Sequence, residues 1–178
     1  MKMVNRNKIQ LIMAMIVTFS LSIMADNPIH QDSLCSLFHI ARSKDKNEIH
    51  YLLNLRNQQI PDVTNPIKAV WIMNAENQQE KPLTYIQQKF AYGIVYDVKT
   101  NDYFKFHFAG YSKRVFELKR NALNQFRVFT LSNNREIEVT QIFIHITGGS
   151  FWFPEIPVIE LHGYNPKTNN MVTEYIKP

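Results

Sequence analysis

Six histidines, at positions 30, 39, 50, 107, 145 and 162, are the side chains in this 178-residue chain best suited to exchanging protons or holding a metal near neutral pH. Glu160 and His162 stand two residues apart, a spacing that puts a carboxylate and an imidazole on one face of a strand. His107 and His145 each alternate with apolar neighbours, so they either converge inside a barrel or face solvent. No two histidines lie close in sequence and His-Glu-x-x-His is absent, so neither a metal site nor a cofactor is expected. Nucleophilic catalysis has little support: there is no Gly-x-Ser-x-Gly elbow, and Gly148-Gly149-Ser150 runs into aromatics instead. Cys35 and His39, four apart, share a strand face but lie beyond hydrogen-bond reach of one another. A spatial pair of carboxylates for glycoside hydrolysis stays open, because sequence does not reveal such pairs.

A second group of candidates is aromatic. Phe151-Trp152-Phe153 sits in a loop opened by Gly148-Gly149-Ser150 and closed by Pro154 and Pro157. Clustered aromatics on a loop stack on sugars, touch a membrane, close a ligand cavity, or fold back as a plug over the core. Trp71, Tyr92 and Tyr96 either line a cavity or serve the core. The candidate ligand-binding residues are therefore Trp71, Phe151, Trp152, Phe153, His107, His145, Glu160 and His162.

The elements that would position them begin after an expected signal peptide. Lys2, Arg6 and Lys8 precede the apolar run Leu11 to Leu21, and Ala25 precedes Asp26, which predicts cleavage after residue 25 and export of the rest. Such a run is shorter than the roughly 20 residues a spanning helix needs. Removing the three leader cations lowers the net charge from +5 to +2, and no basic run interleaved with aromatics remains, so nucleic acid is not an expected partner. Cys35 is the only cysteine, so no internal disulfide forms and stability must come from the core. Residues 26–35 read as a polar lead-in, and 36–178 as one β-rich domain.

Hydrophobic alternation predicts about ten strands. Ile49, Tyr51, Leu53 and Leu55 share a face, and Phe104, Phe106 and Phe108 form the densest apolar register. In residues 135–147 the apolar positions switch from odd (Ile137, Val139) to even (Ile142, Ile144, Ile146), which predicts a bulge near Thr140-Gln141. One short helix is predicted over about residues 84–91: Thr84 and Gln87 make a capping box, Ile86 and Phe90 face the sheet, and Gly93 supplies a left-handed end. Residues 114–120 read as a more polar, outer strand. The fold class is all-β, an antiparallel β-barrel or barrel-like sandwich with that helix against it.

These pieces resemble a bacterial family known as domain of unknown function 4833. The resemblance is carried by Arg42-Ser43 before a turn, His50-Tyr51, Pro66 before Trp71, Leu83-Thr84, and Ala91-Tyr92-Gly93. Glu160-Leu161-His162-Gly163 and the ending from Glu174 to Pro178 complete it. It implies an exported single-domain protein and brings no activity or site residues. The expected function is non-catalytic binding of a small hydrophobic or carbohydrate ligand, or of an envelope component, at the barrel mouth or the aromatic loop. The alternatives are an exported hydrolase acting on envelope or carbohydrate material, with His107, His145, Glu160 and His162 as its candidates, and a structural envelope protein.

Overall fold

The computed structural model describes residues 36–57, 60–150 and 153–178. The expected signal peptide, the lead-in with Cys35, and the candidates Phe151 and Trp152 lie outside the described residues. In chain order the strands are β1 (Ser36–Arg42), β2 (Asp45–Leu53), β3 (Leu55–Arg56), β4 (Ile60–Pro61), β5 (Ile67–Met73), β6 (Gln79–Pro82), β7 (Ile94–Lys99) and β8 (Phe104–Phe108). Then come β9 (Tyr111–Arg120), β10 (Phe126–Ser132), β11 (Arg135–His145), β12 (Gly148–Gly149), β13 (Pro154–Glu155), β14 (Val158–Tyr164) and β15 (Met171–Ile176). Helix α1 (Tyr85–Gln87) runs on into one π-helical turn (Gln88–Tyr92) between β6 and β7.

Eleven strands form one curled sheet, a half-barrel in which neighbours are mostly antiparallel. The exception is the parallel pairing of β1 with β11, from His39 opposite Gln141 to Arg42 opposite Ile144. Strand β11 explains the curl. β14 lines one of its edges from Glu138 to His145, so β10 and β1 must share the other, β10 along Arg135 to Glu138 and β1 along Gln141 to Ile144. The register breaks between Val139 and Gln141, at the predicted bulge, and the exchange of neighbours happens there. One wing runs β1-β2-β5-β6 and the other β10-β9-β8-β7. β9 is therefore central, between β8 and β10, and not the outer strand its polarity suggested.

Both wings turn their apolar faces inward. Phe38 stacks on Tyr51 at 4.4 Å in the first wing, and Phe106 on Phe116 at 5.6 Å in the second. Phe108 meets Phe38 edge-on at 6.1 Å and Tyr51 at 5.5 Å, joining the two faces. Where the outer strands approach one another, side chains replace the ladder: the Ile67 amide donates to Tyr96 Oη (3.2 Å) and Lys99 Nζ donates to the Thr64 carbonyl (2.7 Å).

The helix starts as the capping chemistry requires. The Gln87 amide donates to Thr84 Oγ1 at 3.3 Å, and the Thr84 amide donates to Gln87 Oε1 at 2.9 Å. Two expectations about it fail. Gly93 is extended (φ −66°), and its lack of a side chain serves close approach instead, since a Cβ would lie 1.8 Å from the Gln88 carbonyl oxygen of the π turn. Ile86 and Phe90 do not pack down on the sheet but remain 43% and 63% exposed, while Leu83, just before the helix, is the residue buried.

A concave groove and a histidine cluster on opposite faces

The unpacked face of the helix overhangs a cavity of about 540 Å³ on the concave side of the sheet. Its walls come from Ile40, Phe108, Ile142, Ile144, Ile159 and Ile176, with Ile86 and Phe90 above and Tyr92 and Tyr111 beside them. The even-numbered isoleucines of β11 reach it because the bulge at Thr140 turns them inward. Its volume falls within the range of small-molecule sites, and its lining is mainly apolar, as such sites are. A second cavity, of about 600 Å³, fills the gap between β5–β6 and the start of β7, where Lys68, Glu80, Lys81 and Lys89 make the lining more polar.

Arg42, at the end of β1, borders the groove. Its guanidinium lies 4.7 Å from the Trp71 ring centroid and 5.7 Å from that of Tyr92. It donates to Tyr92 Oη at 3.1 Å and pairs with Asp45, while its Nε is buried without an acceptor. Trp71 is core on its inner side, and its Nε1 donates to Gln87 Oε1 at 3.1 Å, tying the sheet to the helix cap. Trp71 thus supports the groove through Arg42 and Gln87 without lining it. Deeper in, Arg114 grips both oxygens of Glu174 at 2.9 and 2.7 Å and donates to the Leu131 carbonyl at 2.9 Å. Burial pushes the Glu174 carboxyl up, and the paired hydrogen bonds and charge of Arg114 oppose it, leaving the group below its ordinary value.

The other candidates divide. His145, Glu160 and His162 come together on the opposite, convex face. His145 Nε2 donates to Glu160 Oε1 at 2.5 Å, and His162 Nε2 lies 3.0 Å from Glu160 Oε2. An ionised carboxylate only accepts, so each imidazole carries its proton on Nε2, and His162 Nδ1 can accept from the Thr173 hydroxyl at 3.1 Å. The hydrogen bond from His145 holds the Glu160 carboxyl below its usual range, against burial, with smaller electrostatic contributions from His145 and His162. The row continues across the sheet, where His39, opposite Gln141, stacks on His50 at 5.4 Å. None of these residues borders either cavity. The imidazoles of His50, His145 and His162 lie against carboxylate oxygens, and among the described residues no group of three or more His, Cys, Asp or Glu side chains is arranged to hold a metal ion. His107 joins none of this; its Nδ1 lies 3.2 Å from Asp97 Oδ2 on β7. Phe153, 82% exposed, lies outside the groove.

The match to known families falls on this same half-barrel. A family model described as domain of unknown function (DUF4833) matches residues 38–175. The chain belongs to that family. No curated protein and no solved structure matches it. The DUF4833 match spans β1 to β15 and so takes in both the groove and the histidine cluster. Among the described residues of this DUF4833 chain, no helix is long and apolar enough to cross a membrane, which says nothing about strands. Sequence reasoning missed Arg42, Ile86 and Phe90 as groove residues. Arg42 read as the end of a strand, and the helical spacing of Ile86 and Phe90 announced an apolar face without saying that its partner was a cavity.

Proposed function

We propose that this chain is an exported, non-catalytic binding module whose ligand is a small, mainly hydrophobic molecule, such as an envelope component, held in the concave groove. The observation that carries the reading is the cavity of about 540 Å³ left beneath Ile86 and Phe90 and walled by β11, β14 and β15. Apolar side chains kept half in water above an apolar cavity give up burial that denser packing would have supplied, about 25 cal/mol per Å². A ligand with an apolar body would recover it. Few polar groups line the groove, which favours a hydrophobic ligand over a carbohydrate.

The test is native mass spectrometry of the purified full chain for a co-purified mass, together with titration of a solvent-sensitive hydrophobic dye. Dye binding should weaken several-fold in Phe90→Asp, a substitution at a position exposed enough to leave the fold intact. No bound mass and no dye binding in the unsubstituted chain would sink the reading.

A hydrolase is the second reading, favoured by one arrangement: Glu160, His162 and Thr173 form a carboxylate–imidazole–hydroxyl chain. That chain lies on an open sheet face and not in a cavity. Ester hydrolysis that disappears in both Thr173→Val and His162→Gln would move this reading ahead of the first.

A further inference from the structure

Taking the groove as the binding site, as proposed above, we infer that its ligand is an amphiphile with an anionic head and that Arg42 receives that head. The charged side chains bordering the groove are Arg42, Lys44 and Arg114, and no carboxylate side chain is among them. Arg114 is already committed, to both oxygens of Glu174 and to the Leu131 carbonyl. Lys44 Nζ donates to the Thr147 carbonyl at 2.7 Å, at the edge of the groove.

Arg42 is different. The Trp71 and Tyr92 rings and the contacts to Asp45 and Tyr92 Oη hold its guanidinium in place, and its Nε–H is buried with nothing to donate to. A guanidinium already fixed loses little entropy on meeting an anion, and each terminal nitrogen keeps a second N–H beyond those given to Tyr92 and Asp45. Tyr92 Oη accepts from Arg42, so its own hydrogen is free for the same ligand oxygen. Three cationic side chains and no carboxylate side chain on the lining favour an anionic head on an apolar tail over a neutral or cationic one.

Calorimetric titration of the full chain with dodecanoate, dodecanol and dodecyltrimethylammonium, each kept below its micelle-forming concentration, tests this. Dodecanoate should bind about tenfold or more tightly than dodecanol, as expected for a charge-assisted hydrogen bond, and the ammonium most weakly. Arg42→Met should abolish the preference while dodecanol binding persists. Should that variant not fold, the ranking of head groups on the unsubstituted chain still decides. Equal binding of dodecanoate and dodecanol would overturn the head-group assignment and leave the groove reading standing. No binding of any probe, with the groove taken by a second copy or by another segment of this chain, would overturn both.

Discussion

Burial depresses the proton affinity of His39, and the neighbouring charges of His50 and His162 act in the same direction, while Glu48 opposes them. The group is therefore neutral in the folded protein over a range where the unfolded chain, with a histidine value of about 6.5, already binds a proton. Because the unfolded state takes up more protons there, stability is fully present above that value and declines as pH falls toward the lower folded value. Glu160 and Glu174 are shifted the same way, but from a carboxylate range, so their contributions are lost only at lower pH. Urea midpoints at pH 7.5 and 5.5 should thus differ in the unsubstituted chain, and the difference should shrink in His39→Gln. An unchanged difference would show that the burial of His39 does not account for the loss. The pairing of His145, Glu160 and His162 was half legible in sequence. Glu160 and His162 share a face by spacing alone, but His145 reaches them only because β11 and β14 run antiparallel with His145 opposite Val158. His107, alike in its local pattern, went elsewhere because its partner strand offered Asp97.

The helix and the turn after it are short enough that single residues decide their geometry. Thr84 was legible because a capping box is a chemical requirement at fixed spacing. The π turn was not, since it adds one residue between donor and acceptor without changing the residue pattern. Its signature is Gly93, which keeps an extended backbone yet admits no Cβ against the Gln88 carbonyl. Thr84→Ala should cost about 1 kcal/mol, the ordinary loss of a cap. Gly93→Ala should cost more, despite alanine's better helix propensity, because the backbone itself must move. Denaturant midpoints compare them directly, and a Gly93→Ala variant as stable as the parent would mean the turn can relax to an α-helical form. Strict alternation was legible: Phe104, Phe106 and Phe108 are the buried face of β8, as their register predicted. β6 was hidden in the polar stretch 74–82, because an edge strand contacting solvent needs no apolar alternation.

At the scale of the whole molecule, one strand holds together two wings that local sequence cannot relate. Strands β7 to β10 pair as a consecutive meander, so their contacts close short loops. Ile40 meets Ile142 in parallel from roughly a hundred residues away, and closing that loop has an entropic cost that grows with its length. This is also why sequence predicted strands and a curl but not the mixed, half-open barrel: alternation reports which face is buried, not which strand lies alongside. The same reasoning orders the folding events. The meander with Phe106 and Phe116 should form in the transition state, and β1 should dock on the second half of β11 afterwards. Ile40→Val, expected to cost about 1 kcal/mol, should then act almost wholly by speeding unfolding. Phe116→Leu should instead slow folding. Stopped-flow chevrons of the two variants separate these outcomes, and a large effect of Ile40→Val on the folding rate would put the parallel pair in the nucleus and the meander after it.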